Sequence, residues 1–273
     1  MIPSGRSFYK MSGSGNDFVM VDARSAPPGV LAEPEVIKRV CARGTGVGAD
    51  GIVFVLPSDR ARVRLVYLNA DGSPADFCGN ATLCTTRLAV ELGAGSATGF
   101  DIETDSGIVA ARMTGDRPEI DLQGVTDVRP DVADIPAERG ESRLGFALVG
   151  VPHLVVLCDD VATIDVVGRG RPLRRHASLP HGANVNFVGR GADSDWRVRT
   201  YERGVEGETL ACGSGAVATA ILLVSWGLAT SPVTVRTSSG RSLRISLDRR
   251  DTEWLPSLSG EARVVYEARF SEV

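Results

Sequence analysis

The sequence predicts an α+β fold of two pseudo-symmetric domains, each a β-rich sheet wrapped around a central helix, with the active site in the cleft between them. Three observations predict it. Landmarks recur at a near-constant offset, short β-rich runs are punctuated by turn pairs, and an apolar helical stretch follows a Cys-Gly pair in each half. Cys78-Gly79-Asn80-Ala81 precedes Cys212-Gly213-Ser214-Gly215 by 134 residues, and Tyr67 precedes Tyr201 by the same 134. Gly48-Ala49-Asp50 and Gly182-Ala183-Asn184 repeat that offset, Gly15-Asn16 and Gly150-Val151 differ by 135, and Gly107 and Gly240 by 133. A period this long means two related domains and not a solenoid.

The first half reads as strands at 18–22, 52–56, 62–68, 100–104 and 108–113, rich in Val, Ile and Phe. Their counterparts are 147–158, 185–188, 196–201, 233–237 and 242–247. Asp71-Gly72, Ser106-Gly107 and Ser239-Gly240 are turn pairs between them. Helical spacing covers 33–42, and the clearest helices follow the cysteines, at 81–92 and 215–226. The last of these is apolar nearly all round, which predicts a buried central helix. The domains are expected at 1–124 and 125–261, joined through the Pro- and Asp-rich stretch 124–137. A last strand within about 262–273 is expected to return to the N-terminal half, and it has no counterpart in the first copy's numbering.

At 273 residues with 43 % hydrophobic content, the chain can build two cores of ordinary size. Its net charge of −4 offers no basic field for nucleic acid or an anionic membrane. No apolar run is long enough to span a bilayer, and residues 1–10 lack a signal-peptide core, so the cytoplasm is the expected compartment.

The five cysteines stand at 41, 78, 84, 158 and 212, without Cys-x-x-Cys or paired-His spacing, so no metal site is expected. Cys41, Cys84 and Cys158 have apolar neighbours and read as small buried hydrophobes. Cys78 and Cys212 differ because each opens a helix, where leading N–H groups and the helix dipole favour a thiolate. The same N–H groups can hold a carboxylate. Two thiols placed on opposite sides of one carbon suit a reaction that removes a proton from one face and returns one to the other. The alternative sink for an amino-acid carbanion, pyridoxal phosphate, needs a Schiff-base lysine. Lys10 and Lys38 are the only lysines, and neither lies in the repeated motif, so a cofactor-free route is expected.

These residues resemble the diaminopimelate epimerase family of cofactor-independent, two-thiol amino-acid epimerases. The resemblance runs nearly the full length, through Met11-Ser12-Gly13-Ser14-Gly15-Asn16-Asp17-Phe18, Gly48-Ala49-Asp50-Gly51, Asn69-Ala70-Asp71-Gly72-Ser73, Cys78-Gly79-Asn80, Val151-Pro152-His153 and Asn184-Val185-Asn186-Phe187. Its strongest piece is Tyr201-Glu202-Arg203-Gly204 followed by Glu208-Thr209-Leu210-Ala211-Cys212-Gly213-Ser214-Gly215. The resemblance implies conversion of LL- to meso-diaminopimelate for lysine and peptidoglycan precursors, with Cys78 and Cys212 as the acid/base pair and His153 and Glu202 assisting. It implies substrate contacts from Asn16, Asn69, Asn184 and Arg203, and helix-start donors from Gly79, Asn80, Gly213 and Ser214. The implied partner is a small amino acid, and the implied assembly a homodimer; the sequence itself leaves the oligomeric state open.

Three departures bear on the distal end of the substrate. Val151 stands where the family often has Asn before Pro-His, Ala81-Thr82-Leu83 replaces a frequent Gly-Ala-Arg, and the loop from Arg203 to Cys212 is one residue longer than the shortest versions. Retention of Asn69, Asn184 and Arg203 still favours a second carboxylate. Two other readings stay open: a cofactor-free racemase of another amino acid, and a non-catalytic amino-acid-binding protein on the same duplicated scaffold. Without the resemblance, other readings stand beside these: His153 as an ordinary core or surface histidine, Arg203 as a solvated ion-pair partner and the asparagines as turn residues.

Overall fold

β-Branched and aromatic runs set the strands of the first unit. The computed structural model describes residues 5–75, 77–191 and 193–271. Contacts divide the chain into two units, residues 1–121 with 259–273, and residues 122–258. In chain order the first unit contains β1 (Ser7–Gly13), β2 (Asn16–Asp22), α1 (Pro34–Cys41), β3 (Gly51–Leu56), β4 (Val63–Asn69), α2 (Gly79–Glu91), β5 (Phe100–Thr104), β6 (Gly107–Thr114) and β7 (Arg117–Asp121). Pairing runs β1-β2-β3-β4-β5-β6-β7, antiparallel except for the parallel β2/β3 and β4/β5 steps. The two parallel steps carry the helices as crossovers, α1 between β2 and β3 and α2 between β4 and β5.

Alternation along the strands gives the sheet two apolar faces. Val19, Val21, Ile52 and Phe54 pack with Val36, Ile37, Val40 and Cys41 of α1. Phe18, Met20 and Val53 take the opposite face, the one left to α2, which touches β1, β2, β3, β4, β6 and β7. That face is buried because the sheet curls around α2, whose Ala81, Leu83, Cys84, Leu88 and Ala89 are almost completely shielded.

The second unit repeats the arrangement with β8 (Val128–Arg129), β9 (Glu141–Val149), β10 (Val151–Cys158), α3 (Val166–Arg174), β11 (Asn184–Arg190), β12 (Trp196–Glu202), β13 (Gly207–Thr209), α4 (Gly213–Ser225), β14 (Val233–Arg236), β15 (Ser242–Arg250) and β16 (Glu253–Ser259). Its parallel steps, β10/β11 and β12/β14, again carry the helices. Leu154, Val156, Val185, Phe187 and Tyr201 pack with Val166 and Leu173 of α3. Helix α4 is buried from Gly215 to Leu223, as its apolar composition predicts.

Several expectations need correction. The strand read at 147–158 is two antiparallel strands, β9 and β10, because Gly150 adopts φ 68° and reverses the chain so that Val149 pairs with Val151. The tyrosine match is one residue out of structural register. Gly51 pairs with Asn69 and Val185 with Tyr201, so β3 and β4 correspond to β11 and β12 at an offset of 133. Tyr201 is thus the counterpart of Leu68, on the α3 side, whereas Tyr67 is the counterpart of Thr200 on the opposite face. A one-residue slip in a strand reverses which face a side chain takes.

The last strand, β17 (Ala262–Arg269), pairs antiparallel with β1, and it does have a counterpart. Ala262 pairs with Gly13 and Arg263 with Ser12, while Val128 pairs with Ala147 and Arg129 with Phe146. By the hairpin registers Met11 is the counterpart of Ala147, and Met11 pairs with Val264 as Ala147 pairs with Val128, so β8 is a shortened β17. The segment that follows each repeat closes the sheet of the other repeat. No helix among the described residues is long and apolar enough to cross a membrane.

Candidate active site

Both helices that follow a cysteine begin in the same way. Cys78 caps α2 with φ −138° and ψ 109°, and Cys212 caps α4 with φ −132° and ψ 110°. Thr82 N donates to Cys78 O at 2.9 Å and Ala216 N to Cys212 O at 3.0 Å, so the N–H groups just before them lead each helix. Gly79 and Gly213 occupy the first helical position of α2 and of α4. The Cys212 sulfur accepts from Gly215 N at 3.4 Å and lies 3.6 Å from Ser214 Oγ. Both thiols are partly exposed, while Cys41, Cys84 and Cys158 are buried. Burial pushes the Cys41 thiol up to about 11, the Cys158 thiol up to about 12 and the Cys84 thiol higher still.

In the first unit, an amide relay stands beside the start of α2. Asn80, 2 % exposed, donates from Nδ2 to Asn16 Oδ1 at 2.7 Å, and Asn16 Nδ2 donates to Asp50 Oδ2 at 3.0 Å. Asp50 also accepts from Asp17 N at 3.1 Å and from the Arg43 guanidinium at 2.7 Å. The relay fixes which way both amides face and leaves Asn80 Oδ1 buried without a partner, an acceptor suited to an ammonium group. Asn69 ends β4 and donates to Ser73 Oγ at 3.1 Å inside its own turn. Lys10 lies buried in this unit, its ammonium engaged by Asp17 and the Gly48 carbonyl, and Lys38 pairs with Glu35 on α1. Asp17, held by the guanidinium of Arg43 and the ammonium of Lys10, titrates below the usual carboxylate range although its burial opposes this.

In the second unit, strands β10, β11 and β12 bring His153, Asn184 and Glu202 to one end of the sheet. His153 pairs with Asn184 in the parallel register, and Glu202 is the last residue of β12, at the position Asn69 takes in the first unit. Asn184 Oδ1 accepts from Arg203 N at 2.7 Å, and Arg203 Nη1 donates to His181 O at 3.0 Å, so this arginine is held at its backbone and at its tip. His153 is completely buried, and burial, with the nearby Arg203 charge, lowers its pKa to about 3. Val151 is the counterpart of Asn16, so the relay amide of the first unit has no equivalent here.

One constellation escaped the sequence reading. Asn186 and Thr200 are buried with His153: Asn186 Nδ2 lies 3.2 Å from His153 Nδ1 and donates to Leu154 O at 3.1 Å, and Thr200 Oγ1 donates to Asn186 Oδ1 at 3.0 Å. A Cβ at Gly215 would overlap Asn186 Oδ1 and sit 3.2 Å from Cys212 Sγ, so the glycine lets this amide reach the helix start. The first-unit counterparts of His153, Asn186 and Thr200 are Phe18, Val53 and Tyr67, with the Phe18 and Tyr67 rings edge-to-face at 5.7 Å. The signal available in sequence was polar Asn at alternate positions of Asn184-Val185-Asn186-Phe187, a strand whose both faces are buried.

The sequence profile of the diaminopimelate epimerase family matches residues 8–126 and 145–265. The chain belongs to this family. Diaminopimelate epimerase of Gemmatimonas aurantiaca is 50 % identical over 275 residues, which cover 97 % of this chain and 99 % of that one. The diaminopimelate epimerase of Aquifex aeolicus is 39 % identical over 278 residues, covering 97 % and 98 %. The diaminopimelate epimerases are isomerases, and this chain is one of that enzyme family. Among solved structures, a PhzF-family phenazine biosynthesis protein of Bacillus anthracis superposes with a TM-score of 0.73 at 15 % identity, covering 97 % of this chain and 98 % of that one. A hydroxyproline epimerase from Agrobacterium vitis gives 0.68 at 17 % identity, covering 99 % and 94 %. At those identities the likeness is one of fold, and the fold is the duplicated α+β architecture described above.

Proposed function

We propose that the protein converts LL-diaminopimelate to meso-diaminopimelate without a cofactor, with Cys78 and Cys212 as the acid/base pair. The observation that carries this reading is the repeated helix start, a thiol at the N-cap of α2 and of α4 with nearly equal backbone angles. One thiolate takes the α-proton while the electron pair spreads onto the adjacent carboxylate, which helix-start N–H groups and the dipole stabilise. The other thiol delivers its own proton to the opposite face of the carbon. One proton leaves and one arrives, so charge and oxidation state are unchanged and no electron sink is consumed. The scheme requires both sulfurs to reach a single α-carbon.

In this reading His153 and Glu202 assist proton exchange at the thiols. Gly79, Asn80, Gly213 and Ser214 serve the reacting carboxylate, and Asn80 Oδ1 offers an acceptor to the α-ammonium. Asn16, Asn69, Asn184 and Arg203 serve the remaining polar groups, an arginine fork being well matched to a carboxylate. The names of the 50 % and 39 % identical relatives support diaminopimelate as substrate. We extend the reading to lysine and peptidoglycan precursor synthesis in the cytoplasm by a homodimer, whose mass light scattering measures directly.

The test is proton NMR of LL-diaminopimelate in D₂O with the purified protein, beside a panel of monocarboxylic amino acids. Loss of the α-proton signal together with the meso isomer is expected for diaminopimelate alone. Exchange with a monocarboxylic amino acid and not with diaminopimelate would overturn the substrate assignment. Cys78→Ser and Cys212→Ser are each expected to lower kcat by about a thousandfold or more, the scale seen when one member of a catalytic unit is removed. Undiminished turnover in either variant would refute the two-thiol scheme.

A further inference from the structure

The scheme above leaves Asn186 without a role, although it sits at the centre of the buried polar set of the second unit. We propose that Asn186 is a positioning residue that holds His153 as the neutral tautomer protonated on Nε2, so that the ring serves as a hydrogen-bond donor beside the start of α4. The proposal deepens the reading of His153 as an assisting group and rests on it.

The amide of Asn186 is oriented by a group whose role cannot change. The Leu154 carbonyl can only accept, so the amide nitrogen of Asn186 must face it, at 3.1 Å. The amide oxygen then faces Thr200, whose hydroxyl donates to it at 3.0 Å. With the amide fixed at both ends, its second N–H is directed at His153 Nδ1, 3.2 Å away. Nδ1 must accept, and a neutral imidazole that accepts at one nitrogen carries its proton on the other. Nε2 is buried without a partner in the protein, so its N–H is offered to a group from outside.

Two further observations point the same way. The same scaffold packs Phe18, Val53 and Tyr67 at the equivalent positions of the first unit, so the repeat does not need polar groups here to fold. A buried polar set that folding does not require marks a place where chemistry does. Gly215 leaves open the space in which the Asn186 amide oxygen meets the first turn of α4; a Cβ there would overlap that oxygen and sit 3.2 Å from Cys212 Sγ. Burial and the Arg203 charge keep the ring neutral well below neutral pH. A neutral ring that accepts at Nδ1 has an N–H to donate at Nε2.

The experiment is nitrogen-15 NMR of the full chain at neutral pH, with the His153 signals identified by their loss in His153→Phe. The expected spectrum has Nδ1 unprotonated and Nε2 protonated. Asn186→Asp places a carboxylate against Nδ1 and should draw a proton there. In the diaminopimelate exchange assay it should lower kcat by about tenfold or more, the direction taken when a catalytic histidine is held in the wrong tautomer, and KM by far less. Wild-type His153 protonated on Nδ1, or as the imidazolium, would overturn the proposal. So would an Asp variant with unaltered tautomer and kcat. If that variant does not fold, the wild-type spectrum decides alone. If the wild type leaves diaminopimelate unexchanged, the substrate reading falls while the tautomer measurement keeps its meaning.

Discussion

The buried imidazole of His153 has consequences for stability. An unfolded histidine titrates near pH 6.5, whereas burial lowers the folded value to about 3. Between these two values the unfolded chain binds a proton that the native state does not, so stability falls as pH drops through that window and is unaffected above it. The expected slope from this one group is about 1 kcal/mol per pH unit. In urea titrations between pH 4 and 7, His153→Phe, which installs the first-unit residue, should flatten the pH dependence of the midpoint relative to wild type. An unchanged slope would show that the ring is charged or solvated in the native state. Gly215 is a second such position. Gly215→Ala pushes a methyl group into Asn186 Oδ1, and a loss of about 1–3 kcal/mol is expected from overpacking, read as a lower midpoint with unchanged denaturant dependence. At this scale the sequence was partly legible. Cys78 and Cys212 could be singled out because helix-start chemistry leaves a local signature. Asn186 leaves only a weaker signal, alternating polarity within a buried strand, because its contacts to Leu154 O and His153 lie one strand away.

Elements were legible where local pattern and tertiary environment agree. The stretch after each cysteine reads as a helix and is one, starting two residues earlier and ending one earlier than expected, with the cysteine itself at the N-cap position. Helix α3 was missed, since Gly168, Gly170 and Pro172 within Val166–Arg174 carry no helical signal. It forms because Asp165 caps Gly168 N at 2.9 Å and Val166 and Leu173 bury themselves against the sheet. Strands β1, β7 and β16 were also missed; the prolines Pro118 and Pro256 and the charges Glu119 and Glu253 disguise the last two. The central helices should be the most sensitive elements. Leu222 is completely buried in α4, and Leu222→Ala is expected to cost about 2–5 kcal/mol by transfer and cavity terms together, measured by chemical denaturation.

Across the whole molecule, the exchange of closing strands makes each repeat depend on chain that follows the other. A fragment of residues 1–121 contains β1 to β7 but lacks β17, and should leave the edge of β1 unpaired. Hydrogen exchange at Phe8, Lys10 and Ser12 in that fragment is expected to be fast. Appending residues 259–273 through a flexible linker should slow it, and equal protection in both fragments would show that β17 is dispensable. The duplication itself was legible from the 134-residue offset, while the matching of β8 to β17 was hidden because only two residues of β8 keep strand geometry. Doubling has not left the molecule a palindrome. One copy lines its central helix with Phe18, Val53 and Tyr67, whose hydroxyl donates to the Asp50 carbonyl, and the other offers an imidazole, an amide and a hydroxyl in their place. In the proposed two-thiol scheme the proton steps at Cys78 and at Cys212 would take place in surroundings of different polarity, so the two half-steps of exchange need not share one barrier even though the overall equilibrium belongs to the substrate alone.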